Sequence, residues 1–294
     1  MADKKLELVI DAKAALGEGP CWDSEKQLLY WVDIMGKKVH VYNPKENTNR
    51  TISVDGYPGA VVPRKSGGLV VAMNQGYYAL DLETEQLTLL ASPENEPKTN
   101  RFNDGKCDAS GRFWAGTMGM GSSEPAGNLY FLDQDLKITH LLDGIGTSNG
   151  IAWSGDNKTM YYIDSPTKQV VAFDFDLSSG GIKNKRVVVN IPEGEGVPDG
   201  MTIDSEGMLW VAQWGGYKVS RWNPHTGERL EIISVPVERV TSCTFGGENL
   251  DELYITTAGG GSLSEEELEK QPHAGGVFRI KVGVKGTINY AFNG

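Results

Sequence analysis

The feature that most constrains this chain is a motif written six times along it. Each copy opens on a small or polar pair, runs into a short strand and a polar turn, and ends in a second strand with a large apolar residue. The copies open at Gly17-Glu18-Gly19-Pro20, Pro58-Gly59-Ala60, Asn103-Asp104-Gly105, Ser148-Asn149-Gly150, Pro198-Asp199-Gly200 and Thr241-Ser242-Cys243. Their second strands align on Tyr30, Val70, Trp114, Tyr161, Trp210 and Tyr254, at separations of 40, 44, 47, 49 and 44 residues. A period of about 40–50 residues with this strand content is that of four-stranded propeller blades. The six copies predict an all-β, six-bladed β-propeller, with residues 1–294 forming one domain.

Local chemistry agrees with that reading. Asp108-Ala109-Ser110-Gly111 and Asp204-Ser205-Glu206-Gly207 place Asp where it bonds its own backbone and Gly where φ turns positive. Alternating segments such as Lys38-Val39-His40-Val41-Tyr42 fill the outer strands of a blade. A ring of blades must close, because open sheet edges invite aggregation. The segment Leu6–Ile10 precedes the first copy and has no blade of its own, so it is expected beside Gly276–Ile280, closing the last blade. One helical stretch, Ser264 to Glu269, has a capping serine and an acidic first turn, and reads as a surface turn.

Composition narrows the function. The formal charge, 28 − 39 = −11, disfavours a nucleic-acid backbone or an anionic membrane surface as partner. No apolar run approaches the roughly 18 residues of a membrane span. Met1-Ala2-Asp3-Lys4-Lys5 runs straight into Leu6-Glu7-Leu8-Val9-Ile10 without an apolar leader core, so a cytoplasmic protein is expected. Three widely spaced cysteines, Cys21, Cys107 and Cys243, make neither a disulfide framework nor a CxxC metal site and read as small core residues. The four histidines, His40, His140, His225 and His273, fall in outer strands or loops without paired spacing and read as surface residues. No GxSxG elbow, Walker loop or dinucleotide fingerprint is present.

What remains is the set of residues that opens each copy. In a propeller these face the central channel, where side chains from different blades converge. Glu18, Asn103 with Asp104, Asn149 and Asp199 offer hard oxygen atoms, suited to a divalent cation such as calcium, magnesium or manganese. Zinc also accepts oxygen, though N or S ligands usually accompany it. A second reading stays open here: Asn-Gly and Asp-Gly pairs are ordinary turn residues that repeats copy for structural reasons. Glu18, in Gly-Glu-Gly-Pro, does not fit turn chemistry.

These motifs, together with Arg101-Phe102-Asn103-Asp104-Gly105-Lys106, Tyr161-Tyr162-Ile163-Asp164-Ser165 and Thr241-Ser242-Cys243-Thr244-Phe245-Gly246-Gly247, resemble the gluconolactonase family. That family includes senescence marker protein (regucalcin) and luciferin-regenerating enzyme, and the resemblance runs from about Leu8 to Lys285. It implies one divalent metal ion (Ca, Zn, Mn or Mg) in the channel, held at the positions of Glu18, Asn149 and Asp199. It also implies substrate binding by Asn103 and Arg101, and hydrolysis of a small-molecule sugar lactone such as gluconolactone. Asp199 is the candidate general base. The chain departs from the animal proteins after Ala115-Gly116-Thr117-Met118, where they carry an acidic substrate contact and this chain has Gly119-Met120-Gly121; Glu124 is the nearest acid that follows. That departure keeps two alternatives in view: a hydrolase of a non-sugar ester or luciferin-type substrate, and a calcium-binding propeller without activity.

Overall fold

The computed structural model describes residues 5–121, 125–260 and 263–294. Its strands form six four-stranded sheets arranged as the blades of a propeller. The inner strands of blades 1 to 5 are Gly17–Asp23, Pro58–Pro63, Asn100–Cys107, Ser148–Trp153 and Val197–Ile203, each followed by three consecutive strands of the same blade. Blade 6 is built from Val240–Gly246, Glu252–Thr257 and Val277–Lys281. Its outer strand is Glu7–Ile10, which pairs antiparallel with Val277–Lys281 in the register Glu7 to Arg279 and Leu8 to Phe278. The closure expected from the sequence is therefore formed. Each inner strand packs against the next, and the sixth against the first.

The blades are glued by aromatic side chains. Trp22, Trp31, Trp114 and Trp210 are fully buried. Trp22 of blade 1 stacks on Tyr254 of blade 6 at 5.6 Å, and Trp114 of blade 3 meets Trp153 of blade 4 edge-on at 5.7 Å. Each such side chain contributes roughly 2–3 kcal/mol by burial, so the seams between blades carry much of the stability.

The polar turns behave as their sequence requires. The Asp108 carboxylate accepts from the Ser110 and Arg112 amides, the Arg112 guanidinium and the Trp114 indole, and Gly111 adopts φ +75°. Asp204 does the same with Glu206, Met208, Arg221 and Trp210. The helix spans Glu265–Lys270 behind a Ser264 capping box and buries nothing, in keeping with a surface element. Beyond blade 6 the chain runs under the ring to blades 2 and 3. Phe292 is fully buried, its amide donates to the Pro63 carbonyl at 2.8 Å, and the Asn293 amide donates to the Gly111 carbonyl at 3.1 Å.

Candidate functional site

The six inner strands share an irregularity. In each, the antiparallel register slips where the copy opens: between Glu18 and Cys21, Pro58 and Ala60, Phe102 and Gly105, Asn149 and Ile151, Pro198 and Met201, and Val240 and Ser242. Bulges of this kind re-aim a side chain. The Asn-Gly and Asp-Gly pairs are thus strand residues, and the turn reading of them is corrected. Their glycines are needed for space. A Cβ on Gly150 would come within 2.9 Å of the Asp199 carbonyl oxygen, and one on Gly200 would overlap the Ser242 side chain, because neighbouring inner strands nearly touch at the axis.

The bulges bring Glu18, Arg101, Asn103, Asn149 and Asp199 to one cavity of about 340 Å³ at one end of the channel. All five are buried, at 4–6% exposure, although they come from four blades. Glu18 and Asn149 are both in hydrogen-bonding contact with the Asp199 carboxylate. Among the described residues, Glu18 otherwise accepts from the Gly19 amide, at 3.0 Å. Burial pushes both carboxyl groups well above the usual carboxylate range, and the charge of Asp104 adds to the rise in each. Two acids this close in a low-dielectric site do not both ionise without a compensating positive charge.

Asn149 is held by a chain of bonds. Its Nδ2 donates to Ser165 Oγ at 2.9 Å, and that hydroxyl donates to the Pro198 carbonyl at 2.6 Å. This fixes the carboxamide so that Oδ1 is buried with no hydrogen-bond partner. An amide oxygen without a partner among the described residues and two buried carboxyl groups line the same cavity, and oxygen atoms of these kinds are the ligands of a hard divalent cation. Among the described residues no three His, Cys, Asp or Glu side chains converge, since the third donor here is an amide.

Arg101 and Asn103 form the adjoining edge. Arg101 Nη1 donates to Asn103 Oδ1 at 2.7 Å and to the Phe102 carbonyl at 3.0 Å, while Asn103 Nδ2 donates to the Ser148 carbonyl at 2.8 Å. Burial lowers the Arg101 pKa to about 10, against the pull of Glu18 and Asp199, so it stays a cation at neutral pH. Asp104 lies behind this edge and accepts from the Gly105 amide at 2.7 Å. Glu124 lies outside the described residues.

Several lining residues had no place in the sequence reading: Leu16, Thr147, Val197, Met118 and Trp214. The first three stand two residues before Glu18, Asn149 and Asp199, as Arg101 stands before Asn103, so strand alternation puts them on the same face. Met118 and Trp214 are the cross-strand partners of Arg101 and Val197. Period two was therefore a usable signal. The histidine expectation fails at His40, which is buried, stacked on Trp31 at 3.8 Å and remote from the cavity. The cysteines are buried free thiols, as expected, and burial pushes Cys21 and Cys243 up to about 12.

Residues 16–259 match the model of the SMP-30/Gluconolactonase/LRE-like region. The chain belongs to this family. Regucalcin of Oryctolagus cuniculus is 42% identical over 301 residues, covering all of both chains. Among solved structures, a luciferin-regenerating enzyme has 35% identity and a TM-score of 0.92, over 99% of this chain and 100% of that one. A regucalcin of Agrobacterium tumefaciens, described as a calcium-binding protein, has 26% identity and the same TM-score, over 99% and 97%. Within the SMP-30/gluconolactonase family, then, this member carries two buried acids, one orphaned amide oxygen and one buried arginine around a single cavity.

Proposed function

We propose that this protein is a lactone hydrolase that works with one divalent cation and opens a lactone of the sugar (aldono-) class, such as gluconolactone, to the hydroxy acid. The observation that carries the reading is Asn149 Oδ1, buried and without a partner among the described residues, in the cavity that Glu18 and Asp199 also line. Glu18, Asn149 and Asp199 would hold the cation. When bound, it supplies positive charge that polarises an ester carbonyl and makes water more acidic. The family match and the name of the Agrobacterium regucalcin support both parts of the proposal.

The chain's own residues account for the rest. Arg101, charged and braced by Asn103, orients the ring oxygens beside the acids. Asp199 takes a proton from the attacking water. The water oxygen bonds to the carbonyl carbon, the bond from that carbon to the ring oxygen breaks, and the proton ends on the departing oxygen. Atoms and charge balance with no redox partner. The five site residues are at most 6% exposed, so their electrostatic contacts are screened less than at the surface.

The test is a pH-stat assay on five- and six-membered lactones, with chelator-stripped protein and calcium, zinc, manganese or magnesium added in turn. Turnover that depends on added cation and disappears in Asp199→Asn is the expected result. Turnover unchanged in that variant removes Asp199 from the mechanism. Tight cation binding with no lactone opened would favour a binding propeller instead.

A further inference from the structure

The cavity is lined by two chemically unlike sets of residues. One is the oxygen-rich set Glu18, Asn149 and Asp199; the other is apolar, Leu16, Met118, Pro166, Val197 and Trp214. Among the polar residues, Asn103 and Ser165 are already committed. Asn103 uses both ends of its amide, and Ser165 both accepts and donates. Arg101 Nη1 is engaged twice. A substrate hydroxyl turned toward the apolar residues has no partner among them. Each unpartnered hydroxyl there costs about 1–3 kcal/mol. A hydrocarbon surface in the same place gains about 25 cal/mol per Å² covered.

Trp214 is the largest of these apolar residues, and it is braced. It ends its strand directly opposite Val197, and Met118 stands opposite Arg101 and bridges to Thr147. The Arg239 guanidinium lies 5.1 Å from the Trp214 ring centroid without itself lining the cavity. Arg239 pairs with Trp214 through the backbone, and its Nη1 is buried with no hydrogen-bond partner among the described residues. A ring held in this way presents a fixed apolar surface at little entropic cost on binding.

We infer that Trp214, with Met118, Leu16 and Val197, is a hydrocarbon-binding wall that gives the protein a further activity, hydrolysis of lactones bearing an alkyl or aryl substituent. The inference rests on the lactone-hydrolase reading for its chemistry, and on the wall alone for its selectivity.

The experiment measures kcat/KM for gluconolactone and for delta-decalactone, an alkyl-substituted lactone of the same ring size, on the cation-loaded protein. It adds calorimetric binding of the matching alkyl lactam, which reports the wall without hydrolysis. The wild type should open delta-decalactone, and Trp214→Ala should lower the ratio of delta-decalactone to gluconolactone kcat/KM about tenfold, mainly through KM. Trp214→Phe should restore most of it, and lactam affinity should follow the same order. If Trp214→Ala does not fold, Met118→Gln, which makes the adjoining part of the wall polar, must give the same selective loss. A ratio and a lactam affinity unmoved by these variants overturn the wall and leave lactone hydrolysis standing. Lactam binding that falls in Trp214→Ala, with no lactone opened, upholds the wall and sinks the hydrolase reading.

Discussion

The inner strand of blade 5, Val197–Ile203, has a buried aspartate near its start and another just past its end, and the two lead opposite lives. Asp204 accepts from two backbone amides, an indole and a guanidinium, all supplied by its own blade. Asp199, at the channel end, faces another acid and an amide whose oxygen has no partner. Both carboxylates have left water, but Asp204 is bonded to a guanidinium, whereas Asp199 is met by another acid and an amide. A buried acid answered locally holds the fold; one left unanswered in a cavity is set up for something the chain does not supply.

Substitution at the two ends should separate those roles. Asp199→Asn is expected to lower lactone turnover about a thousandfold while the melting temperature stays near the wild type. Asp204→Ala should do the reverse. Removing one partner of a buried, hydrogen-bonded ion pair destabilises by about 3–5 kcal/mol, read by urea unfolding, with turnover per folded molecule retained. If both substitutions lower stability and spare activity, the contrast between the two ends is wrong.

His40 tests a group that is half answered. Asn49 and Thr51 meet its Nδ1 at 3.1 Å, whereas Nε2 is buried without a partner. Burial lowers its pKa from 6.5 to about 4. Because the folded value lies below the unfolded one, the unfolded chain takes up the proton first as pH falls. The contribution to stability is whole above pH 6.5 and is lost progressively as pH falls to about 4, a change of about 3 kcal/mol. Urea unfolding across that window should slope less in His40→Phe than in the wild type; parallel slopes would remove His40 as the source.

The smallest effect expected is on thermal stability. A cation bound only by the folded state at a hundred times its Kd adds about 2.7 kcal/mol. Calcium, zinc, manganese or magnesium, whichever binds, should raise the melting temperature of chelator-stripped protein. Asn149→Ala should abolish the rise, and an equal rise in that variant would move the site elsewhere.

Much of this was written in local pattern. The period fixes the number of blades, and the leftover strand Leu6–Ile10 tells how the ring closes. Asp108 and Asp204 were legible as turn residues because their partners lie within a few positions. Glu18, Asn149 and Asp199 were legible as oxygen donors that open equivalent copies. Their convergence at the channel was expected from the propeller, but the bulges that aim them were not legible, because a bulge leaves no mark that distinguishes Asp-Gly in a strand from Asp-Gly in a turn.

By itself, then, the sequence determined the architecture and the chemical types available at the axis, because period and residue identity are properties of short stretches. Tertiary structure alone decided that Ser165 holds the Asn149 amide, that His40 is buried on Trp31, and that Trp214 lines the same cavity as the two acids. Those are relations between residues tens to hundreds of positions apart, and only packing of blade against blade sets the distance between them.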